Sequence, residues 1–485
     1  MRRAVAIFAL CFCSHAGLAA DLNQRLAALV DDKPASLGDA GIQVVDAATG
    51  ESIYAHNENR LLLPASNAKL FTAGLALEKL GAGYRFTTKV LLGPSGDLVL
   101  VGSGDPSLSG RIYPYTRDAR PGPPLDAIED LAAQIVKRGI VRIEGDVVGD
   151  DGLYPWVPYP QSWSMDDSEN EYGAPVSALT LDDNTVAIAI SPGLRVGEHA
   201  GMTLSPAIEF LTIDHRVVTG ARGSAVAIRF RRVPGTRQWI ITGSVPFGHA
   251  AVERELPVDD PAAFAAAALY DALVRRGVAI RGRPVARHRA EGAGYVAPAG
   301  SEMASRQSPA LGELLRVMEK VSQNLHAELI LREAVRVRRP GAEAGLADLG
   351  AFVKLLEAAE KRFDARLPEA RLEDGSGLGR NTLVTPRLIT QLLTREYATK
   401  DRELWISLLP AGGEDGTLAH RLCCVGDGGG IRAKTGSLSR AVALSGYALT
   451  KNSGTLAFSI LVNNFAAPVG EVRAWVDKIA LALLE

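Results

Sequence analysis

The chain has 485 residues, 47% of them hydrophobic and 22% charged, with a formal net charge of -2. That composition excludes a disordered or fibrous chain, and the near-neutral balance supplies no broad charged surface for nucleic acid or for an oppositely charged partner. At roughly 150 residues per domain, about three domains fit.

The first twenty residues, MRRAVAIFALCFCSHAGLAA, place two arginines before an apolar run and end on small residues. This is the layout of a secretory signal peptide, with cleavage expected after Ala19 or Ala20. A membrane-spanning anchor would need an apolar run nearer ~20 residues. The expected product is an exported, periplasmic protein with no transmembrane anchor after signal removal, and loss of Arg2 and Arg3 takes its formal charge to -4. Cys11 and Cys13 leave with the leader. Of the remaining Cys423 and Cys424 we expect two reduced or core thiols, because a bridge between neighbours would be strained.

Next, GIQVVDAATGESIYAHN alternates apolar residues around a turn and predicts a hairpin. Leu70, Phe71, Leu75 and Leu80 then fall near helical spacing with Gly81 as a stop, which sets Ser66 at or near a helix start. From about Tyr84 to Gly300 the texture changes to short β-like runs, among them TTKVLLG, DLVLVGSG, VRIEGDVVGDD, NTVAIAIS and WIITGSVP. Two helical patterns interrupt them, LDAIEDLAAQIVKRG and PAAFAAAALYDALVRRG. Residues 86–299 are therefore expected to form an inserted region of one or two smaller β-rich domains. Helical patterns return in PALGELLRVMEKV, LHAELILREAVRV and LADLGAFVKLLEAAEKR. IRAKTGSLS, AVALSGYALT and GTLAFSILVNN follow, the last two joined by KNSG as an antiparallel hairpin. The final GEVRAWVDKIALALLE mixes both charge signs on its polar face, so it is expected to pack on the sheet rather than lie on a membrane.

The chemistry centres on PASNAKLFTA. Ser66 and Lys69 are one helical turn apart and share a face, so a neutral Lys69 could take the proton of Ser66 as the hydroxyl attacks a carbonyl. Alone, the pair reads as a helix cap and a solvated lysine. VSQNLH adds Ser322, Gln323 and Asn324 in the break between two helical patterns, and RAKTGSLS adds Lys434, Thr435, Gly436 and Ser437 on a predicted strand. A serine-x-x-lysine, a serine-x-asparagine and a lysine-threonine-glycine in that order form the signature of β-lactamases and penicillin-binding proteins. A second serine-x-asparagine, Ser168 to Asn170, falls in the irregular insertion and is set aside for that reason. In this scheme Ser322 relays a proton between Lys69 and the leaving amine, and Asn324 holds a substrate amide and orients the lysine. Lys434 adds positive charge that lowers the proton affinity of Lys69 and attracts a terminal carboxylate. Gly436 lets the substrate backbone lie close as an added strand, with the hydroxyls of Thr435 and Ser437 free to bind a carboxylate. The backbone N–H groups of Ser66 and Ser437 are the natural oxyanion donors. There is no G-x-S-x-G elbow and no H-E-x-x-H pair, and neither a metal nor a cofactor is called for.

With these motifs the sequence resembles the class C low-molecular-mass penicillin-binding proteins, the D-alanyl-D-alanine carboxypeptidase and endopeptidase family of bacterial envelopes. The blocks YRFTT, GSGDPSL, YGAPVSALTLDDNT, EDGSGLGRNTLVTP and LPAGGEDGTLAHR extend the resemblance over nearly the whole mature chain. It implies a mixed α/β, transpeptidase-like catalytic domain built from residues 21–85 and 300–485, with an antiparallel sheet flanked by helices and split by the insertion. It also implies an acyl-enzyme reaction on peptidoglycan stem peptides and acylation by β-lactam antibiotics. Gln323 departs from the aspartate often found at the middle of the serine-x-asparagine motif. The resemblance further suggests Arg380 for a stem carboxylate and Asp167 for a stem ammonium, against the plain alternative that the acidic run around Asp167 is a solvated loop. A serine β-lactamase and a non-catalytic peptidoglycan-binding scaffold are the competing expectations.

Overall fold

The computed structural model describes residues 21–119, 121–338, 354, 370–423, 430–450 and 454–484. The leader, Cys424, residues 451–453 and all of LADLGAFVKLLEAAEKR except Lys354 lie outside that set. Two compact units emerge, one drawn from Met1–Ala82, Gly312–Ala327 and Gly345–Glu485, the other from Gly83–Leu311 and Glu328–Ala344.

The first unit opens with helix α1 (21–31) and the hairpin of β1 (Asp39–Asp46) and β2 (Ser52–His56), where Ile42 faces His56 and Val44 faces Tyr54. A single 3-10 turn, Ala65–Ala68, leads into α2 (Lys69–Lys79). Every residue of α2 from Lys69 to Leu77 is buried, because apart from Lys69 and Thr72, both of which are hydrogen-bonded, that stretch is apolar on all sides.

The chain then builds the second unit. Its larger sheet runs in the order 284–289, 147–155, 98–101, 87–92, 301–307. Helices α3 (Asp126–Lys137) and α4 (Pro261–Arg275) supply Ile128, Leu131, Ile135, Phe264 and Leu269 to its core. Asp260 caps α4 by accepting from the Ala263 N–H at 2.9 Å, and Pro261 takes the first helical position, where no N–H is needed. Two three-stranded sheets enclose a separate core of Ile188, Ile190, Val217, Trp239, Ile241 and Leu256. The Ser168–Asn170 copy of the serine-x-asparagine pattern lies here, at the end of a 3-10 turn.

Helices α5 (Leu311–Lys320) and α6 (Asn324–Arg338) follow, and the first turn of α6, through Ala327, belongs to the first unit. That unit is completed by α7 (Pro386–Tyr397), α8 (Arg402–Leu408), β3 (Gly430–Leu438), β4 (Ala441–Leu449), β5 (Thr455–Asn463) and α9 (Val469–Ala482). The five strands form one antiparallel sheet in the order β3-β4-β5-β1-β2, so the first and last segments of the chain pair as neighbours. One face packs on α1 and α9 through Leu26, Val472, Trp475, Val476 and Ile479, which places the final helix on the sheet. On the other face the Tyr447 hydroxyl donates to the Leu393 carbonyl of α7 at 2.7 Å and accepts from the Trp405 indole of α8 at 2.9 Å. Cys423 is not a core thiol: it lies just past the buried Leu422 as an exposed free cysteine.

Candidate active site

Ser66 occupies the 3-10 turn before α2, and the residue ahead of it, Ala65, holds φ at 47°, in the left-handed region a side chain disfavours. The turn is pinned by Asn67, whose amide donates to the buried Ser445 hydroxyl of β4 at 2.6 Å. One turn later the fully buried Lys69 reaches three oxygens. Its Nζ lies 3.1 Å from Ser66 Oγ, 2.6 Å from Asn324 Oδ1 and 2.7 Å from the Ser376 carbonyl.

That last contact comes from the EDGSGLGRN segment, which the buried Asp374 folds onto itself. Asp374 accepts from the backbone N–H groups of Gly377 and Gly379 at 2.9 and 2.8 Å and from the Ser376 hydroxyl at 3.1 Å. The Gly375 carbonyl accepts from the Thr72 hydroxyl of α2 at 2.7 Å, which ties the loop to the nucleophile's helix. A side chain at Gly377 would meet the Ala65 carbonyl at 1.9 Å, so only glycine lets the loop approach the Ser66 turn.

Ser322 sits in the middle of the three-residue break between α5 and α6 with φ at 63°. Its hydroxyl accepts from Lys434 Nζ at 2.8 Å, and the same nitrogen donates to the Thr435 carbonyl at 3.0 Å. Asn324 begins α6, and so one side of the break delivers a hydroxyl to Lys434 and the other an amide oxygen to Lys69. On β3 the side chains alternate. Lys434 is buried, Thr435 is half-buried with its hydroxyl bonded to Thr417 at 2.7 Å, and Ser437 is exposed with its hydroxyl accepting from Arg473 at 3.0 Å. Gly436 faces the turn before α2: a Cβ there would lie 2.6 Å from the Pro64 carbonyl and 3.1 Å from Ala65 Cβ. The missing side chain therefore brings β3 onto the turn that carries Ser66.

The five expected catalytic residues thus form two hydrogen-bonded groups within the first unit, Ser66, Lys69 and Asn324 in one and Ser322 and Lys434 in the other, with Ser322 and Asn324 two positions apart in sequence. Arg380 lies in the same unit, exposed, and donates to the Ser439 carbonyl just past β3 at 3.2 Å. Asp167 lies in the second unit, half-buried in the 165–169 turn, where its carboxylate accepts from the Ser164 N–H at 3.0 Å.

Sequence reasoning missed three participants. The Ser376 carbonyl is a main-chain group, and Thr417 comes from a 3-10 turn 18 residues before Thr435 that no motif marks. The third is Glu319, next to last in α5, which is 1% exposed. Burial pushes its carboxyl pKa up, against the opposing charges of Lys434 and Lys69. Burial likewise pulls the Lys434 ammonium down, against the charge of Glu319. Among the described residues no group of His, Cys, Asp or Glu is arranged to hold a metal ion.

A family model described as the D-Ala-D-Ala carboxypeptidase 3 (S13) family matches residues 22–482. A D-alanyl-D-alanine carboxypeptidase of Actinomadura sp. (strain R39) is 34% identical, over 96% of this chain and 85% of that protein. The D-alanyl-D-alanine carboxypeptidase DacB of Haemophilus influenzae is 24% identical, over 89% of this chain and 86% of that one. The crystal structure of penicillin binding protein 4 from Haemophilus influenzae superposes with a TM-score of 0.77 at 22% identity, covering 94% of this chain and 98% of that one, which shows a shared fold.

Proposed function

From the premise that this chain belongs to the D-Ala-D-Ala carboxypeptidase 3 (S13) family, we propose how its residues act. The protein is a serine-type D-alanyl-D-alanine carboxypeptidase that forms an acyl-enzyme and is acylated by penicillin. The observation that carries the reading is Lys69 Nζ, 3.1 Å from Ser66 Oγ and held by two carbonyl oxygens.

Ser66 Oγ attacks the carbonyl carbon of the bond between the two D-alanines while its proton passes to a neutral Lys69. The resulting oxyanion takes N–H donors from Ser66 and Ser437. As the C–N bond breaks, the proton reaches the leaving D-alanine amine through Ser322, whose hydroxyl is bonded to Lys434. Lys434 and the Thr435 and Ser437 hydroxyls hold the terminal carboxylate, and Asn324 orients Lys69. Water then attacks the ester by the same route in reverse. The unit holding these residues is the catalytic domain, and the other is the insertion.

The test is labelled penicillin. The label should sit on Ser66 for hours, vanish in Ser66→Ala, and compete with D-alanine release from a stem pentapeptide. Turnover within seconds would make the protein a β-lactamase, and no labelling at all a binding scaffold. Cleavage of a cross-linked stem dimer in the same assay reads the endopeptidase activity. Export to the periplasm is read by sequencing the N-terminus of the mature protein, which should begin near Asp21.

For the stem itself, Arg380 suits a carboxylate through its planar fork, and Asp167 suits the ammonium of a diamino acid. Asp167→Ala should lower kcat/KM for a stem containing diaminopimelate while leaving penicillin acylation nearly unchanged, since penicillin lacks that ammonium. Equal losses on both, or none on either, would remove Asp167 from the site.

A further inference from the structure

Two lysines at 0% exposure stand in one site, Lys69 and Lys434. Burying two ammonium ions side by side is prohibitive unless a counter-charge is present or one of them gives up its proton. Lys434 makes no ion pair among the described residues; its nitrogen meets a hydroxyl and a carbonyl oxygen. The carboxylate that faces the site is Glu319. Its side chain is 1% exposed, and among the described residues neither carboxyl oxygen has a hydrogen-bond partner.

A buried carboxyl group without hydrogen bonds gains nothing where it is and costs several kcal/mol when ionised, so it stands out against the rule that buried polar groups are bonded. Its neighbour shows the ordinary arrangement. Lys320, also buried, donates to both oxygens of Asp415 at 2.8 and 2.7 Å and to the Leu409 carbonyl at 2.7 Å. The last turn of α5 thus sends Lys320 to a complete ion pair and leaves Glu319 buried and without a hydrogen bond among the described residues, three residues before the Ser322 whose hydroxyl accepts from Lys434. The charged groups that act on Glu319 are Lys434 from β3 and Lys69 from α2.

We propose that Glu319 is a positioning residue, the buried counter-charge that keeps Lys434 cationic while Lys69 serves as a neutral base. The assignment rests on the roles given to the two lysines above. The count of charges is the argument. One carboxylate and two lysines make an electroneutral site when one lysine carries a proton and the other does not, which is the division the acylation step needs: a base beside Ser66 and a cation for the substrate carboxylate. Without Glu319 the site would reach neutrality only by losing both protons, and Lys434 would be discharged at a lower pH.

The test is the pH dependence of the penicillin acylation rate in the wild type, Glu319→Gln and Glu319→Asp, with folding checked by circular dichroism. Glu319→Gln keeps shape and removes charge. Its alkaline limb should move toward acid by about one pH unit, so that acylation falls about tenfold on the alkaline side and much less near pH 6. Glu319→Asp keeps the charge farther from the lysines and should move the limb the same way by less. A Glu319→Gln profile that is merely scaled down, or unchanged, overturns the proposal, because a structural role would not move the limb. If Glu319→Gln does not fold, an unmoved limb in folded Glu319→Asp overturns it equally. A wild type that penicillin does not acylate overturns the assignment of the lysines as well, a result distinct from an acylated enzyme whose limb ignores Glu319.

Discussion

Lys69 has two carbonyl oxygens against its nitrogen, Asn324 Oδ1 and the Ser376 main chain, and neither can donate a hydrogen bond. An amine bonded to both therefore commits two N–H groups, and its remaining direction toward Ser66 carries either a third N–H or a lone pair. The same geometry serves the protonated and the deprotonated lysine, so the proton of Ser66 moves without a rearrangement of the base. The residues doing this differ in how well the sequence exposes them. Ser66 and Lys69 are readable because helical periodicity joins them locally, and Lys434 because threonine and glycine follow it in a recognisable run. Ser376 is not readable, since it contributes a carbonyl that any residue would own. Glu319 reads as one more polar position on an amphipathic helix until its burial is known. Gly436 was legible as a glycine that a close approach requires. What approaches it on the side of the missing Cβ is the Pro64 carbonyl, a contact between segments some 370 residues apart that no local pattern encodes.

At the scale of elements, the junction of α5 and α6 carries more of the chemistry than either helix. Ser322 stands in that break in the left-handed region, where a residue with a Cβ is strained by about 1 kcal/mol. The strain aims the hydroxyl at Lys434 while Asn324 starts the next helix toward Lys69. Two variants separate conformation from chemistry. Ser322→Ala keeps the strain and removes the hydroxyl; Ser322→Gly removes both. We expect both to lose acylation to a similar extent, at least tenfold, and Ser322→Gly to be about 1 kcal/mol more stable than Ser322→Ala in urea unfolding. Substantial acylation by Ser322→Gly would show that the hydroxyl is no relay. The sequence located this break from the end of one helical period and the start of another. It gave no sign of the positive φ, because serine is not a residue that signals one.

At the scale of the molecule, the hydrophobic cores among the described residues are separate, with one on the α1 and α9 face of the five-stranded antiparallel sheet and others within the second unit. The sequence showed the change of texture after Tyr84 but not the pairing of β1 with β5, whose residues stand some 420 positions apart. Nor did it assign a role to its histidines, of which His288 links neighbouring elements of the second unit. His288 Nδ1 lies 3.0 Å from Asp151 and its Nε2 3.3 Å from Asp260, with the ring stacked on Trp156 at 4.1 Å between centroids. Asp151 belongs to the neighbouring strand and Asp260 caps α4, so the imidazole joins two strands and a helix. Burial alone would pull its pKa down, but the bonds and charges of the two aspartates outweigh that and raise it from 6.5 to about 10. The aspartates divide the effect: burial keeps Asp151 above its ordinary value despite the imidazolium, while Asp260 falls below its own. A histidine whose pKa is higher folded than unfolded contributes stability that is fully present below about 6.5 and is lost as pH rises through about 10. His288→Gln, which retains hydrogen-bonding capacity but cannot carry charge, should therefore lower the stability by about 2 kcal/mol at pH 6. The gap to wild type should narrow steadily above neutrality and close beyond pH 10, as followed by thermal melting across that range. A gap that stays constant with pH would mean that the ring acts by packing on Trp156 and not by its charge.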